Sequence, residues 1–230
     1  MAENAGLTLR IAAAVLALAI PMAPCCWGAD GDSWVKPRID PAHRFTIHYE
    51  YYPPESVREG ERGKCIVGVF IDRTGQVRAA QLRMSTGFPR LDAACLISVS
   101  GERMLPATSN GKAVGGWVSI PIVWGAVGTN QTPFDEDGTP KFPEHYELQV
   151  GPTFYPASAR RQKQQGVCLV SALVGENGAV VDTNLLKSTG AQALDAACID
   201  ATVLAQFVPA NKDGTAVRAR ALLAMFWKLR

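Results

Sequence analysis

Side chains along the apolar run 65–71 alternate between two faces of an extended chain. One face holds Cys65, Val67, Val69 and Ile71, and the other holds Ile66, Gly68 and Phe70. This arrangement predicts a β-strand. A turn with Gly75 separates it from a second predicted strand, 77–84, and a third strand is predicted over 114–124.

A helix is predicted between the second and third strands, beginning near Leu91. Leu91, Cys95 and Val99 are spaced by four and therefore share one helical face. A shorter helix is predicted over 53–62, ahead of the first strand. Gly63 is expected to end it with a positive φ.

The whole pattern occurs twice. A shift of 103 positions aligns 51–124 with 154–227 without a gap, and 23 of these 74 aligned residues are identical. Each copy therefore has the predicted order helix, strand, strand, helix, strand. We expect a first domain at 31–127, a linker at 128–142 that is extended and proline-containing, and a second domain at 143–230.

Each copy contains a pair of cysteines thirty residues apart, Cys65 with Cys95 and Cys168 with Cys198. Strand alternation and helical spacing direct both members of a pair into the same core. We therefore predict the disulfides Cys65–Cys95 and Cys168–Cys198, each stabilising a small domain by about 3 to 4 kcal/mol. Four buried thiols and a bond between the copies, such as Cys65–Cys168, are the alternatives.

The first residues have the layout of a secretory signal. Arg10 precedes an apolar run at 11–20, which is followed by two prolines and small residues. We expect 1–29 to be removed on export to the periplasm, where cysteines oxidise to disulfides. The alternatives are an uncleaved inner-membrane anchor and lipidation at Cys25 or Cys26.

Charge and residue chemistry exclude several classes of function. The net charge is +2, and the arginines of the first copy are interspersed with acidic residues, so no nucleic-acid partner is expected. His43, His48 and His145 lie outside the aligned repeats and predict no metal site. Asp92 and Asp195 are interpreted as helix-start residues rather than catalytic acids. We therefore expect no enzyme activity and no cofactor.

The ordered landmarks resemble the C-terminal domain of the TonB energy-transducer family. They are a Tyr-Pro opening, a Gly-led strand, a Gly turn, a Ser-Thr-Gly segment, a Leu-Asp-Ala-Ala run, an aromatic residue before Pro-Ala, and a last strand ending in an aromatic residue. The second copy carries them at Tyr155, Pro156, Gly166, Gly178, Ser188, Thr189, Gly190, Leu194, Asp195, Ala196, Ala197, Phe207, Pro209, Ala210, Gly214, Val217 and Trp227. The first copy matches through Tyr52, Pro53, Gly63, Gly75, Ser85, Thr86, Gly87, Leu91, Asp92, Ala93, Ala94, Pro106, Ala107, Gly111 and Trp124.

The resemblance implies an α+β fold in which the helices of each domain pack on a three-stranded antiparallel sheet. It also implies that an edge strand takes up extended peptides, such as the TonB boxes of outer-membrane transporters, by strand addition. We place that edge on the last strand of the second copy. The expected binding residues are Val217, Ala219, Ala221 and Leu223.

Classical transducers keep their N-terminal helix and carry a long proline-rich linker, whereas only about twenty residues separate the apolar segment here from the first domain. We therefore expect a periplasmic interaction module that binds envelope proteins, with homodimerisation through sheet edges as a further expectation. The alternative is a membrane-anchored energy transducer for transport across the outer membrane. A structural domain pair that binds cell-wall material is a third reading.

Overall fold

The computed structural model describes residues 33–42, 47, 49–125 and 138–229. The predicted signal segment 1–29 and most of the predicted linker lie outside these ranges, as do His43 and His48. None of the helices in these ranges is both long and apolar enough to cross a membrane.

Two short strands precede the first repeat, β1 (Trp34–Val35) and β2 (Arg38–Ile39). The first repeat then runs through α1 (Pro54–Arg58), β3 (Gly63–Ile71), β4 (Val77–Met84), α2 (Pro89–Ser98), β5 (Met104–Leu105), β6 (Ala107–Ser109), β7 (Lys112–Val114) and β8 (Gly116–Trp124). The second repeat follows with α3 (Ala157–Arg161), β9 (Gly166–Val174), β10 (Val180–Lys187), α4 (Gln192–Val203), β11 (Ala210–Lys212), β12 (Thr215–Val217) and β13 (Ala219–Trp227). The α+β class and the repeated order of elements are confirmed.

Two local predictions need correction. The last predicted strand is split in both repeats, because β7 and β12 form hairpins with β6 and β11 before the long strands begin. Gly63 and Gly166 do not end the short helices with positive φ, since each is the first residue of a strand. A Cβ atom at Gly63 would lie 2.9 Å from Cβ of Thr86, and one at Gly166 would lie 2.7 Å from Cβ of Thr189. Glycine is needed there for close approach.

The long strands of both repeats form one antiparallel sheet in the order β10-β9-β13-β4-β3-β8. Each repeat supplies three strands with its first strand in the middle. The repeats join where β13 pairs with β4 through Leu223–Gln81, Ala224–Ala80 and Met225–Ala79. The domain boundaries remain predictions, but the two repeats lie within one compact unit.

The long helices of the two repeats cover opposite faces of this sheet. Paired residues of adjacent strands share a face, and Ala80 and Ala224 belong to a core that includes Leu91 and Cys95 of α2. Ala79 and Met225, one residue away, belong to a second core, which includes α4. Each repeat therefore buries one sheet face under its own helix and turns the other face away from it.

The cysteines lie at the centres of these two cores. The structure joins Cys65 to Cys95 and Cys168 to Cys198, and all four residues are fully buried. The indole N–H of Trp124 donates to Sγ of Cys95 at 3.1 Å, and Trp227 makes the equivalent contact with Cys198. Each bond ties the first strand of a repeat to its long helix.

Candidate functional site

The residues predicted to form a binding edge lie in two different settings. Val217 is in the β11–β12 hairpin, where it pairs with Ala210. Ala219, Ala221 and Leu223 are in β13, which pairs with β9 along its whole length. Leu223 also pairs with Gln81 of β4, so the structure places it inside the sheet, with a strand on each side.

The two outer strands of the sheet are β8, from the first repeat, and β10, from the second. An outer strand presents a row of unpaired N–H and C=O groups to which a further strand can bind. These two strands differ in sequence. β8 contains Pro121, whereas the eight residues of β10 include no proline.

Pro121 interrupts the donor row of β8. Its ladder partner is Ile66, and the pairing of β3 with β8 runs from Gly63–Trp124 to Ile71–Gly116 without a register shift. Because proline has no N–H and alternate residues of a strand point their N–H groups to opposite sides, the nitrogen of Pro121 points away from β3. The outward side of β8 therefore lacks a donor near its middle.

β10 is the proline-free outer strand. It pairs with β9 from Val180–Val174 to Lys187–Leu169, with an irregularity near each end. In the described part of the chain no strand lies along its other side. Val181 and Leu186 have 55% and 54% of their surface exposed, which is high for apolar strand residues. β10 thus combines open backbone groups with apolar side chains.

The charges beside β10 are weakly paired. Arg220 of β13 lies 3.6 Å from a carboxylate oxygen of Asp182, and both side chains are more than half exposed. Arg220 also donates to Oγ of Ser171 at 3.3 Å. Asp182 and Arg220 both pair with Leu173, so the three residues form one row across the sheet. An exposed ion pair of this kind contributes little stability and can be rearranged by a ligand.

The repeated aspartates hold the loop that precedes each long helix. Asp195 accepts hydrogen bonds from Oγ of Ser188 and from the N–H and Oγ1 of Thr189. Burial opposes its ionisation, but these hydrogen bonds outweigh burial and lower the pKa of the carboxyl below its ordinary value. Asp92 makes the same contacts with Ser85 and Thr86. Both aspartates lie in the first turn of a long helix and accept hydrogen bonds from the loop before it.

The remaining histidine in the described ranges has an aromatic contact. His145 packs edge-on against Trp34, with ring centroids 4.2 Å apart. Among the residues that the structure describes, no group of three or more His, Cys, Asp or Glu side chains is placed to hold a metal ion.

Sequence reasoning did not identify β10 as the open edge. The strand itself was predicted at 180–187, but its position in the sheet depends on how the two repeats pair. The available signal was Pro121 in the last strand of the first repeat.

Comparison with known proteins agrees with the repeat and its landmarks. The family model described as the Gram-negative bacterial TonB protein C-terminal matches twice, at residues 48–125 and 152–229. The protein tonB2 of Pseudomonas aeruginosa is 34% identical over 71 residues, which is 31% of this chain. The matched region spans 26% of that relative's length. With both repeats matched over more than half of its length, the chain belongs to the TonB C-terminal domain family and carries the domain twice.

Proposed function

We propose that this chain is a TonB-type protein of the bacterial envelope that binds extended peptide segments of other envelope proteins by strand addition to β10. The proposal rests on β10, the outer strand without proline, along whose outer side no strand of the described residues lies. Main-chain hydrogen bonds to such an edge supply affinity, and the neighbouring side chains supply selectivity.

The junction inside the chain indicates how a strand sits on this kind of edge. By the shift of 103 residues, β10 is the counterpart of β4, which receives β13 along Ala79–Gln81. The counterpart of Ala80, which pairs with Ala224, is Thr183. The N–H and C=O of Thr183 therefore point away from β9, toward an incoming peptide.

The side chains of β10 define two kinds of neighbour for a bound peptide. Thr183 and Leu185 lie on the face packed by α4, so they would contact the peptide residues on that side. Asp182 and Asn184 lie on the opposite face beside Arg220. The site therefore fits a peptide with apolar or small residues toward the helix and polar residues toward the solvent.

Family membership supports outer-membrane transporters as the source of these peptides, through their TonB boxes. Two disulfides fit a location in the periplasm, because such bonds persist in oxidising compartments. We place the protein there, exported by the segment 1–29.

The match to tonB2 favours a second candidate, a membrane-anchored transducer that couples the inner membrane to outer-membrane transport. The N-terminus of the protein purified from cells separates the two. Loss of residues 1–29 supports the periplasmic module. Retention of Met1 in the inner-membrane fraction supports the transducer.

The peptide site is tested with Thr183→Pro, which removes an outward N–H without taking a donor from the β9 ladder. Thr183→Ala is the matched control, since it removes the same side chain and keeps the N–H. Binding of synthetic TonB-box peptides from the host's transporters is measured by isothermal titration calorimetry. We expect Thr183→Pro to weaken binding at least about tenfold and Thr183→Ala to change it less than about threefold.

Equal affinity of Thr183→Pro and wild type would contradict the assignment to β10. Photo-crosslinking then reports where the peptide lies. Crosslinks to Ala219 and Ala221 would return the site to β13, and a crosslink to Val217 would place it at the β11–β12 hairpin. Absence of binding by the wild type to every peptide would reject the function itself.

A further inference from the structure

The two repeats are joined head to tail. In each repeat the first strand lies in the middle, flanked by the second strand and the last strand. The junction pairs the last strand of the second repeat, β13, with the second strand of the first repeat, β4. It therefore uses two different surfaces, and an interface of this type can be repeated without closing on itself.

The two outer strands of the sheet are the counterparts of the two strands that form this junction. β10 is the second strand of its repeat, as β4 is, and β8 is the last strand of its repeat, as β13 is. A second copy that placed its β8 on β10 would reproduce the contact of β13 with β4. Repetition of that step would produce an open-ended assembly.

Pro121 lies near the middle of β8, the counterpart of β13. The junction is formed by Leu223, Ala224 and Met225, and the shift of 103 residues aligns these with Ile120, Pro121 and Ile122. Ala224 has Leu169 as its partner in β9, and Pro121 has the equivalent partner, Ile66. The N–H of Ala224 therefore faces β4, while at Pro121 that donor is replaced by a ring.

β10, the other outer strand, also differs from β4, its counterpart in the junction. Ala79 is buried in the core beside Met225, and its equivalent in β10 is the exposed Asp182. A second copy docked in this register would bury that carboxylate beside Ile122. Charged residues and proline are the devices that protect sheet edges from pairing.

We infer that Pro121 is the residue that stops this protein from assembling head to tail with a second copy of itself, by blocking the pairing of β8 with β10. Asp182 lowers the affinity of the same contact from the other side. The junction therefore forms only once, between β13 and β4 of the same chain, and β10 stays available. The inference is independent of peptide binding, because it concerns pairing between copies.

The test is Pro121→Ala in the full chain, with mass measured by sedimentation velocity over a range of concentrations. In place of the homodimer through sheet edges expected from the sequence, we now expect the wild type to be monomeric. Pro121→Ala should reach a mass about twice that of the monomer or more at high concentration. Val123→Ala is the matched control, because it changes an exposed residue of the same strand and keeps Pro121. It should stay monomeric.

A second variant tests which two strands pair in the assembly. Pro121→Ala combined with Thr183→Pro has an open β8 and a blocked β10, so it should be monomeric alone. Mixed with wild type, whose β10 is open, it should form a complex of one copy of each. Thermal unfolding of each variant confirms that it is folded.

Two results would overturn the inference. One is a folded Pro121→Ala variant that stays monomeric at every concentration. The other is a Pro121→Ala, Thr183→Pro variant that assembles with itself, since β8 would then pair with β8 and the junction would not be head to tail.

Discussion

The two repeats share a fold but differ on the sheet face that each turns away from its own long helix. In the first repeat this face carries Phe70 and Trp117, which are 1% and 3% exposed. Phe142, from the segment between the repeats, stacks on Trp117 with ring centroids 4.6 Å apart. The indole N–H of Trp117 donates to the carbonyl oxygen of Tyr146. The connecting segment thus completes a core.

The same positions of the second repeat are more exposed. The counterpart of Trp117 is Arg220, and the counterpart of Phe70 is the half-buried Leu173. Arg220 reaches Asp182 and Ser171 on a face beside the free strand β10. The two repeats therefore share their internal framework, while their outer faces differ according to what covers them.

The largest expected effect is a difference in the free energy of unfolding between substitutions on these two faces. Trp117→Ala removes a buried indole and its hydrogen bond, so it should lower the free energy of unfolding by about 3 to 5 kcal/mol. Arg220→Ala, its counterpart, should change that free energy by no more than about 0.5 kcal/mol, because its ion pair is exposed. Urea titration measures both. Comparable losses would show that the outer face of the second repeat is also structural.

The next effect tests the framework that the repeats share. Removing either disulfide as an alanine pair, at Cys65 and Cys95 or at Cys168 and Cys198, should lower the free energy of unfolding by about 2 to 4 kcal/mol. The two losses should be similar, since both bonds span thirty residues and both contact a tryptophan. A negligible loss in one repeat would show that the two disulfides are not equivalent.

The smallest effect concerns the loop before each long helix. The folded pKa of Asp195 is lowered below its unfolded value, so its ionised form stabilises the fold above the unfolded pKa, and that contribution is lost as the pH falls through the folded pKa. Asp195→Asn should therefore cost about 1 to 2 kcal/mol at neutral pH and flatten the decline of stability in acid. Urea titrations between neutral and acidic pH give this profile. An unchanged slope would reject the role of the carboxylate.

The sequence predicted what is local in this fold. Alternation together with the turn at Gly75 or Gly178 located the second strand of each repeat at its observed bounds. Strand parity and helical spacing directed Cys65 and Cys95 into one core. These features depend on periodicities that a single repeat contains.

The pairing between the repeats could not be predicted in the same way. Whether β13 is an edge depends on Ala224 meeting Ala80, a contact between residues far apart in the chain. Short aliphatic residues at these positions are typical of many strands, so they do not identify a partner. Pro121 was the more specific signal, since proline is confined to edge strands and bulges.

Amide hydrogen exchange of the native protein shows most directly whether β10 receives extended peptides. Thr183 and the other residues of β10 whose N–H groups point outward should exchange rapidly in the free protein and slowly with a bound TonB-box peptide. We expect this protection to be concentrated in 180–187 and absent from 116–124. Protection confined to 116–124, or none in 180–187 at saturating peptide, would contradict it.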